Sequence, residues 1–322
     1  MLYRPLGRTG LEVSVLGYGS WGIGKGMWVG ADDEASLASL RRAVEQGVNF
    51  IDTAAVYGDG HSESLVGEVV RSASETVYVA TKVPPKNRRW PARPGTRVED
   101  AFPGDWIVES TEQSLRSLGL DTVDVQQFHV WSDEWVGQGD WLDAVERLKA
   151  DGKIRFFGVS INDLQPANAI RLIESGVVDT VQVIYNIFEQ APEDELFPAV
   201  QKANVGVIVR VPLDEGGLTG KVTPETEFPP GDFRTAYFAG GRKQETWDRV
   251  QAIAHELEIP IERLPEIALR FCFTHPAVST VIAGMRALRN VDANVAAADA
   301  GPLSEQELEL LRAHRWAHDT VI

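Results

Sequence analysis

Short apolar runs recur along the chain, separated by stretches whose apolar side chains return every third or fourth position. The runs are VLGYG (15–19), VNFID (48–52), VYVATK (77–82), VDVQQFH (123–129), IRFFGVS (154–160), TVQVIYN (180–186), VGVIV (205–209) and VSTVIA (278–283). Their length and β-branched content predict buried parallel strands. Between them Leu37, Leu40 and Val44 share one helical face, as do Leu142, Val145 and Leu148. Gly47, Gly119, Gly152 and Gly176 follow such stretches, where helices commonly stop. Strands alternating with helices in this way predict a closed (β/α)8 TIM barrel, with an open doubly wound sheet as the competing arrangement. Gly7 and Gly10 between apolar pieces predict a short N-terminal β-hairpin, and a helical extension is expected at the C-terminus. No linker divides residues 1–322, so one domain is expected. The longest irregular stretches, 84–104 and roughly 214–240, each follow a strand and so belong to the face where barrel active sites are built.

Composition narrows the partners more than the fold. The chain is 43% hydrophobic and 24% charged, with a net charge of −16 that argues against nucleic acid or an anionic membrane as main partner. Its one cysteine, Cys272, excludes an intrachain disulfide and a cysteine-based zinc site, and the apolar stretch IALRFCF makes it a packing residue. The six histidines form no ligand motif; His314 and His318 are one turn apart in a polar tail, so no metal is expected. MLYRPLGRTG lacks the apolar segment of a signal peptide and no run approaches a membrane span, which points to a cytoplasmic protein. The oligomeric state stays open.

The candidate chemistry lies where the apolar runs end. Asp52 ends the second strand, Lys82 the third and His129 the fourth, while Tyr57 follows Asp52 by one turn-like segment in FIDTAAVYGDGHSE. In a barrel all four face one mouth. Singly, each has a bland reading: a loop brace, a packed ring, a surface ion pair. Together they make a proton donor for a carbonyl oxygen, with Tyr57 as general acid and His129 adding a hydrogen bond. Lys82 is expected to lower the phenol's pKa, and Asp52 to hold Lys82 charged and in place. A Schiff-base role for Lys82 is a rival chemistry.

FIDTAAVYGDGHSESLVG, VYVATK, VQQFHVW, GVSIND, VQVIYN, VPLDEGGLTGK and VIAGMRALRNVDANV resemble aldo-keto reductase segments, in order and over nearly the whole chain. The resemblance implies a barrel that reduces aldehydes and ketones with a nicotinamide cofactor, usually NADP(H), and a tetrad of Asp52, Tyr57, Lys82 and His129. GYGSWGIG lacks the G-x-G-x-x-G spacing and is no Rossmann turn. The cofactor is instead expected beside Ser20 and Trp21. Ser160, Asn162 and Gln182 are placed on its carboxamide, and Leu213, Gly216, Leu218 and Lys221 along its pyrophosphate. Arg286 is placed on the 2′-phosphate, with Asn290 and Asn294 near the adenine. Two positions depart from the family pattern: Arg210 stands where many relatives stack an aromatic ring on the nicotinamide, and Gly284 where some carry a phosphate-binding lysine. Trp21, Trp90 and Trp131, on loops after the first, third and fourth strands, are the expected walls of a pocket for a small carbonyl substrate. Phe233 and Tyr237 are expected on a segment folding over the cofactor. A non-catalytic, nicotinamide-binding regulatory subunit similar to potassium-channel β subunits is the alternative function.

Overall fold

The computed structural model describes residues 1–316; His318 lies outside the described residues. The chain opens with the expected hairpin, β1 (Tyr3–Pro5) against β2 (Glu12–Ser14), antiparallel with Arg4 opposite Val13. Eight strands follow: β3 (Leu16–Gly19), β4 (Phe50–Asp52), β5 (Tyr78–Val83), β6 (Val123–Phe128), β7 (Ile154–Ser160), β8 (Thr180–Ile184), β9 (Gly206–Arg210) and β10 (Thr280–Gly284). Each pairs in parallel with the next, and β10 closes on β3, so the sheet is a (β/α)8 barrel. The observed strands match the apolar runs to within about two residues.

The twofold alternation of a strand sorts its side chains between barrel interior and helix layer. On β4, Phe50 joins the interior cluster and Ile51 the outer core; on β5, Ala80 faces in while Val79 and Val83 face out. The interior cluster gathers Phe50, Ala80, Val125, Ile208 and Ile282. Two residues further along the same faces come Asp52, Lys82, Gln127, Arg210 and Gly284. An apolar floor therefore sits directly beneath a polar layer.

The hairpin closes this floor from below. Leu6, Leu11 and Val13 belong to the interior cluster and are fully buried, so β1 and β2 cap the end of the barrel opposite the polar layer. Each such side chain contributes about 1.5–3 kcal/mol of burial. Gly7, at φ 53, is required here: a Cβ would lie 2.2 Å from the backbone nitrogen of Gly206. Among the helices, Trp141–Ala150 buries Trp141, Ala144, Val145 and Leu148, and Gly119 and Gly176 end their helices at φ 63 and 79. Helix Leu288–Asp299 follows β10 and closes the helical ring between its first and last members, and the C-terminal extension is helix Glu305–Arg312, begun by a capping box between Ser304 and Glu307.

Candidate active site

At the open end the structure brings the four expected side chains together. The Lys82 ammonium is completely buried and donates to Asp52 Oδ1 at 2.5 Å, to the Thr53 carbonyl at 2.8 Å and to the Tyr57 hydroxyl at 3.4 Å. Its three protons are thereby all directed. The turn after β4 carries Tyr57 back over the mouth, with the Tyr57 amide donating to the Ala54 carbonyl at 3.0 Å and its carbonyl accepting from Ser62 at 3.1 Å. The His129 ring stands edge-on to the Tyr57 ring, centroids 5.9 Å apart. Its Nδ1 is enclosed with no hydrogen-bond partner among the described residues.

Burial is the first influence on all three titrating groups. It raises the Tyr57 phenol above its ordinary 10.0, and Asp52 adds to the rise; the Lys82 ammonium opposes both without overcoming them. Lys82 lowers this pKa as expected, but desolvation in a closed site outweighs one neighbouring cation and leaves the net shift upward. Burial pulls Lys82 down, but Asp52 and Tyr57 reverse this and leave it above 10.5. Burial, Lys82 and Arg210 hold His129 well below 6.5, so the imidazole is neutral at pH 7. The site thus presents a neutral phenol, a fixed ammonium and a neutral imidazole.

Two glutamines hold the acid of this group. Asp52 Oδ2 accepts from Gln182 Nε2 at 2.8 Å and from Gln127 Nε2 at 3.1 Å, and Gln182 Nε2 also reaches Gln127 Oε1 at 3.4 Å. Gln182 was expected on a carboxamide; here its amide nitrogen is committed to Asp52. Gln127 was not expected at all. The signal for it was present, since counting back two residues from His129 along VDVQQFH lands on Gln127, on the same strand face.

The remaining expected residues divide. Trp21 lies at the mouth, its ring 6.3 Å from that of Tyr57 and 4.6 Å from that of Phe233. Trp90 is 38% exposed and stands edge-on to His129 at 5.9 Å. Trp131 does not join them. It has no exposed surface, packs against Phe128, Trp135 and Trp141, and donates through its indole to Asp133, so it is a core residue and not a pocket wall. Ser20 is buried with its hydroxyl shared with Ser62 at 2.7 Å, bracing the turn that carries Tyr57 rather than opening to the mouth. Asn162 is likewise engaged: its amide exchanges hydrogen bonds with the backbone of Ala92 at 3.3 and 3.2 Å. Ser160, beside Gln182 in the β7–β8 register, keeps its hydroxyl free of hydrogen bonds within the described chain. Arg210 is partly buried and lines a cavity with Asp163, Asp214 and Tyr237; its Nη2 donates to the Ile161 carbonyl at 3.0 Å and pairs with Asp163 at 2.5 Å.

The loop after β9 is held in an unusual backbone conformation, with Val211, Asp214, Glu215 and Gly216 at φ 56, 48, 52 and 104. A β-branched residue in the left-handed region is a strained one. The surroundings hold it there: buried Asp214 accepts from the Tyr237 hydroxyl at 2.5 Å and pairs with Arg242 at 3.2 Å, tying this loop to segment 228–242. Phe233 packs on Trp21 and Trp28, so the same segment also reaches the loop after β3. Within the β9 loop Leu213 is half-buried against the core and Leu218 fully buried in it, while Gly216 opens onto free space and Lys221 is exposed. Gly284 likewise has nothing within 4 Å of where a Cβ would stand. Arg286 is partly buried and donates to the Val29 carbonyl at 2.9 Å. Asn290 is partly exposed near the start of helix Leu288–Asp299, and Asn294, one turn on, is buried with its Nδ2 unpartnered among the described residues. Ser160 and Asn294 thus keep a side-chain donor unused among the described residues, while Gly216 and Gly284 face open space.

Among the described residues no cluster of side chains suits a metal ion, and no helix is long and apolar enough to cross a membrane. The model of the aldo/keto reductase family matches residues 15–315. Aldo-keto reductase YhdN of Bacillus subtilis is 34% identical over 238 residues, covering 73% of this chain and 69% of that protein. The NADH-specific methylglyoxal reductase of Escherichia coli is 28% identical, with 96% of each chain covered. The holo form of aldo-keto reductase AKR11C1 from Bacillus halodurans superposes with a TM-score of 0.77 at 28% identity, covering 99% of this chain and 97% of that one. With a family model spanning the barrel and relatives that are reductases over most of their length, the chain belongs to the aldo/keto reductase family of NAD(P)H-dependent oxidoreductases.

Proposed function

We propose that the protein reduces small aldehydes and ketones to alcohols with NADPH as reductant and Tyr57 as the proton donor. The observation that carries this is the Tyr57 hydroxyl at the mouth with a buried, fully coordinated Lys82 ammonium 3.4 Å behind it. When bound, the nicotinamide supplies the hydride. The chain's own residues do the rest. Tyr57, protonated at neutral pH, gives its proton to the carbonyl oxygen as charge develops there. The phenolate left behind faces Lys82, which is kept cationic by Asp52, itself fixed by Gln127 and Gln182. His129, neutral, has a ring nitrogen free to hold the carbonyl oxygen in line. Trp21 beside the phenol and Trp90 beside His129 exclude water from the reacting carbonyl. Lys82 is a poor nucleophile in this setting, because its protons are committed and its pKa is raised, so the Schiff-base reading is set aside.

Arg286 is the residue on which a preference for NADPH rests, since one relative is named as NADH-specific. Ser160, Lys221, Asn290 and Asn294 are its companions along the dinucleotide. The test is NADPH oxidation with a panel of small and aromatic aldehydes, methylglyoxal among them, run in parallel with Tyr57→Phe. Loss of turnover by on the order of a hundred- to ten-thousandfold, with NADPH binding retained, is expected. Tight NADPH binding by a wild-type protein that turns over no carbonyl would favour the regulatory reading instead.

A further inference from the structure

The segment KNRRWPARPGTR, residues 86–97, holds five of the chain's 31 lysines and arginines and no acid, in a protein of net charge −16. Two of the five are paired. Lys86 lies 3.7 Å from Asp105, and Arg97 lies 3.6 Å from Glu99 and 4.0 Å from Asp100. Arg88, Arg89 and Arg93 are exposed and have no ion pair among the described residues. One such cation is ordinary on a protein surface; the position of these three is what matters.

The segment is fixed at the rim of the mouth. Trp90, next in sequence to Arg89, stands against His129, and the Ala92 backbone is held on both sides by Asn162. The Thr96 carbonyl accepts from the Trp135 indole at 2.7 Å, the Gly95 amide donates to Glu134 at 3.0 Å, and the Pro84 carbonyl accepts from the Trp106 indole at 2.8 Å. Arg88 sits at φ 54, an uncommon conformation for a residue with a side chain. Arg89 and Arg93 line one open groove together with Lys86 and with the carboxylates Glu99 and Asp100, which pair with Arg97; Arg88 lies beside this groove in sequence but does not line it.

The circuit of the barrel separates these arginines from the cofactor side. Their loop follows β5, whereas Gly216 and Lys221 follow β9, Gly284 ends β10 and Arg286 follows it. In one direction β3 and β4 intervene, and in the other β6, β7 and β8. The cations on the β5 side are therefore free for the substrate.

We propose that the substrate is an anionic carbonyl compound, bearing a carboxylate or phosphate several bonds from its carbonyl, and that Arg88, Arg89 and Arg93 receive that anion beyond Trp90. The proposal rests on the carbonyl-reductase reading above. Guanidinium forks match both anions in a bidentate manner. The acidic body of the protein repels anions at long range, so a local basic patch beside the mouth raises their concentration where the carbonyl must enter.

The test compares kcat/KM for 4-carboxybenzaldehyde and 4-formylphenyl phosphate with that for the neutral methyl 4-formylbenzoate, under saturating NADPH. It uses the full chain, the R88Q/R89Q/R93Q variant, and R41Q/R116Q/R147Q, which removes the same charge from exposed helix positions. The anion-to-ester ratio is expected to fall about tenfold in the first variant, through KM, with ester turnover unchanged. It is also expected to weaken in wild type as salt rises, and to hold in the control. The probe with the larger loss identifies the anion. An unchanged ratio, or an equal loss in the control, overturns the proposal. Loss of ester turnover in R88Q/R89Q/R93Q also overturns it, because the arginines would then be holding the loop. Absence of turnover of any probe by wild type removes the reductase reading itself.

Discussion

Lys82, at the end of β5, is completely buried and gives its ammonium to Asp52, Thr53 and Tyr57; Lys221, on the loop after β9, is exposed and has no ion pair among the described residues. The same contrast separates the network around Asp52 from Trp90 and Lys221, while the loop residues Ser20 and Asn162 are committed and Ser160, at a strand end, is not. Side chains on strand ends (Asp52, Lys82, Gln127, Gln182) bind one another, so each is fixed before any ligand arrives. Side chains on loops (Trp90, Lys221) keep surface or donors free for a ligand. The strand-borne residues of this network are therefore part of the fold as well as of the chemistry, Trp90 and Lys221 belong to binding, and the loop-borne Tyr57 enters the chemistry because its turn and Lys82 hold it in place.

The sharpest break of that contrast is a pair of lysine substitutions. Lys82→Met leaves Asp52 buried beside an apolar chain, and an uncompensated buried charge costs about 3–5 kcal/mol. Urea denaturation should show that loss, together with loss of turnover. Lys221→Met should stay within about 0.5 kcal/mol of wild type in the same assay and should change only the KM for NADPH.

Two tryptophans give a second pair. Trp131→Ala empties a packed aromatic cluster and is expected to cost about 3–5 kcal/mol, without altering aldehyde KM once the folded fraction is accounted for. Trp90→Ala, at a partly exposed ring beside His129, is expected to raise aldehyde KM while the unfolding midpoint scarcely moves.

Gln127 carries a smaller effect than Lys82 or Trp131. Gln127→Leu takes one donor from the buried Asp52 carboxylate, at a cost of about 1–3 kcal/mol. Turnover should fall about tenfold, as Lys82 loses its fixed partner. A drop in stability with unchanged kcat would make Gln127 a structural residue only.

The barrel and the meeting of four side chains were legible because both follow from strand periodicity. An apolar run that ends in Asp52, Lys82 or His129 sets which face that residue is on, and the closed sheet gathers those faces. Gln127 follows from the same count, two residues before His129 on one strand face, but its role depends on meeting Asp52 across the barrel, which the count does not give. Trp131, Ser20 and Asn162 were not legible. They sit at or just beyond strand ends too, but their surroundings come from distant segments: Trp135 and Trp141 for Trp131, Ser62 for Ser20, Ala92 for Asn162. The same holds for the Tyr57 pKa, where the sequence names the cation but not the depth of burial that outweighs it.

The central claim is that a neutral Tyr57 phenol, kept protonated by burial against the pull of Lys82, is the acid. The most direct test is the pH dependence of kcat/KM for a neutral aldehyde. Because the phenol lies above 10.0 and His129 well below 6.5, the required forms are both present between those values. The rate should be level from about pH 7 to pH 9 and fall only as pH rises through the phenol's own pKa, beyond 10. That alkaline limb should be missing from the residual activity of Tyr57→Phe. An alkaline limb centred near pH 8, or one that survives in Tyr57→Phe, would contradict the account.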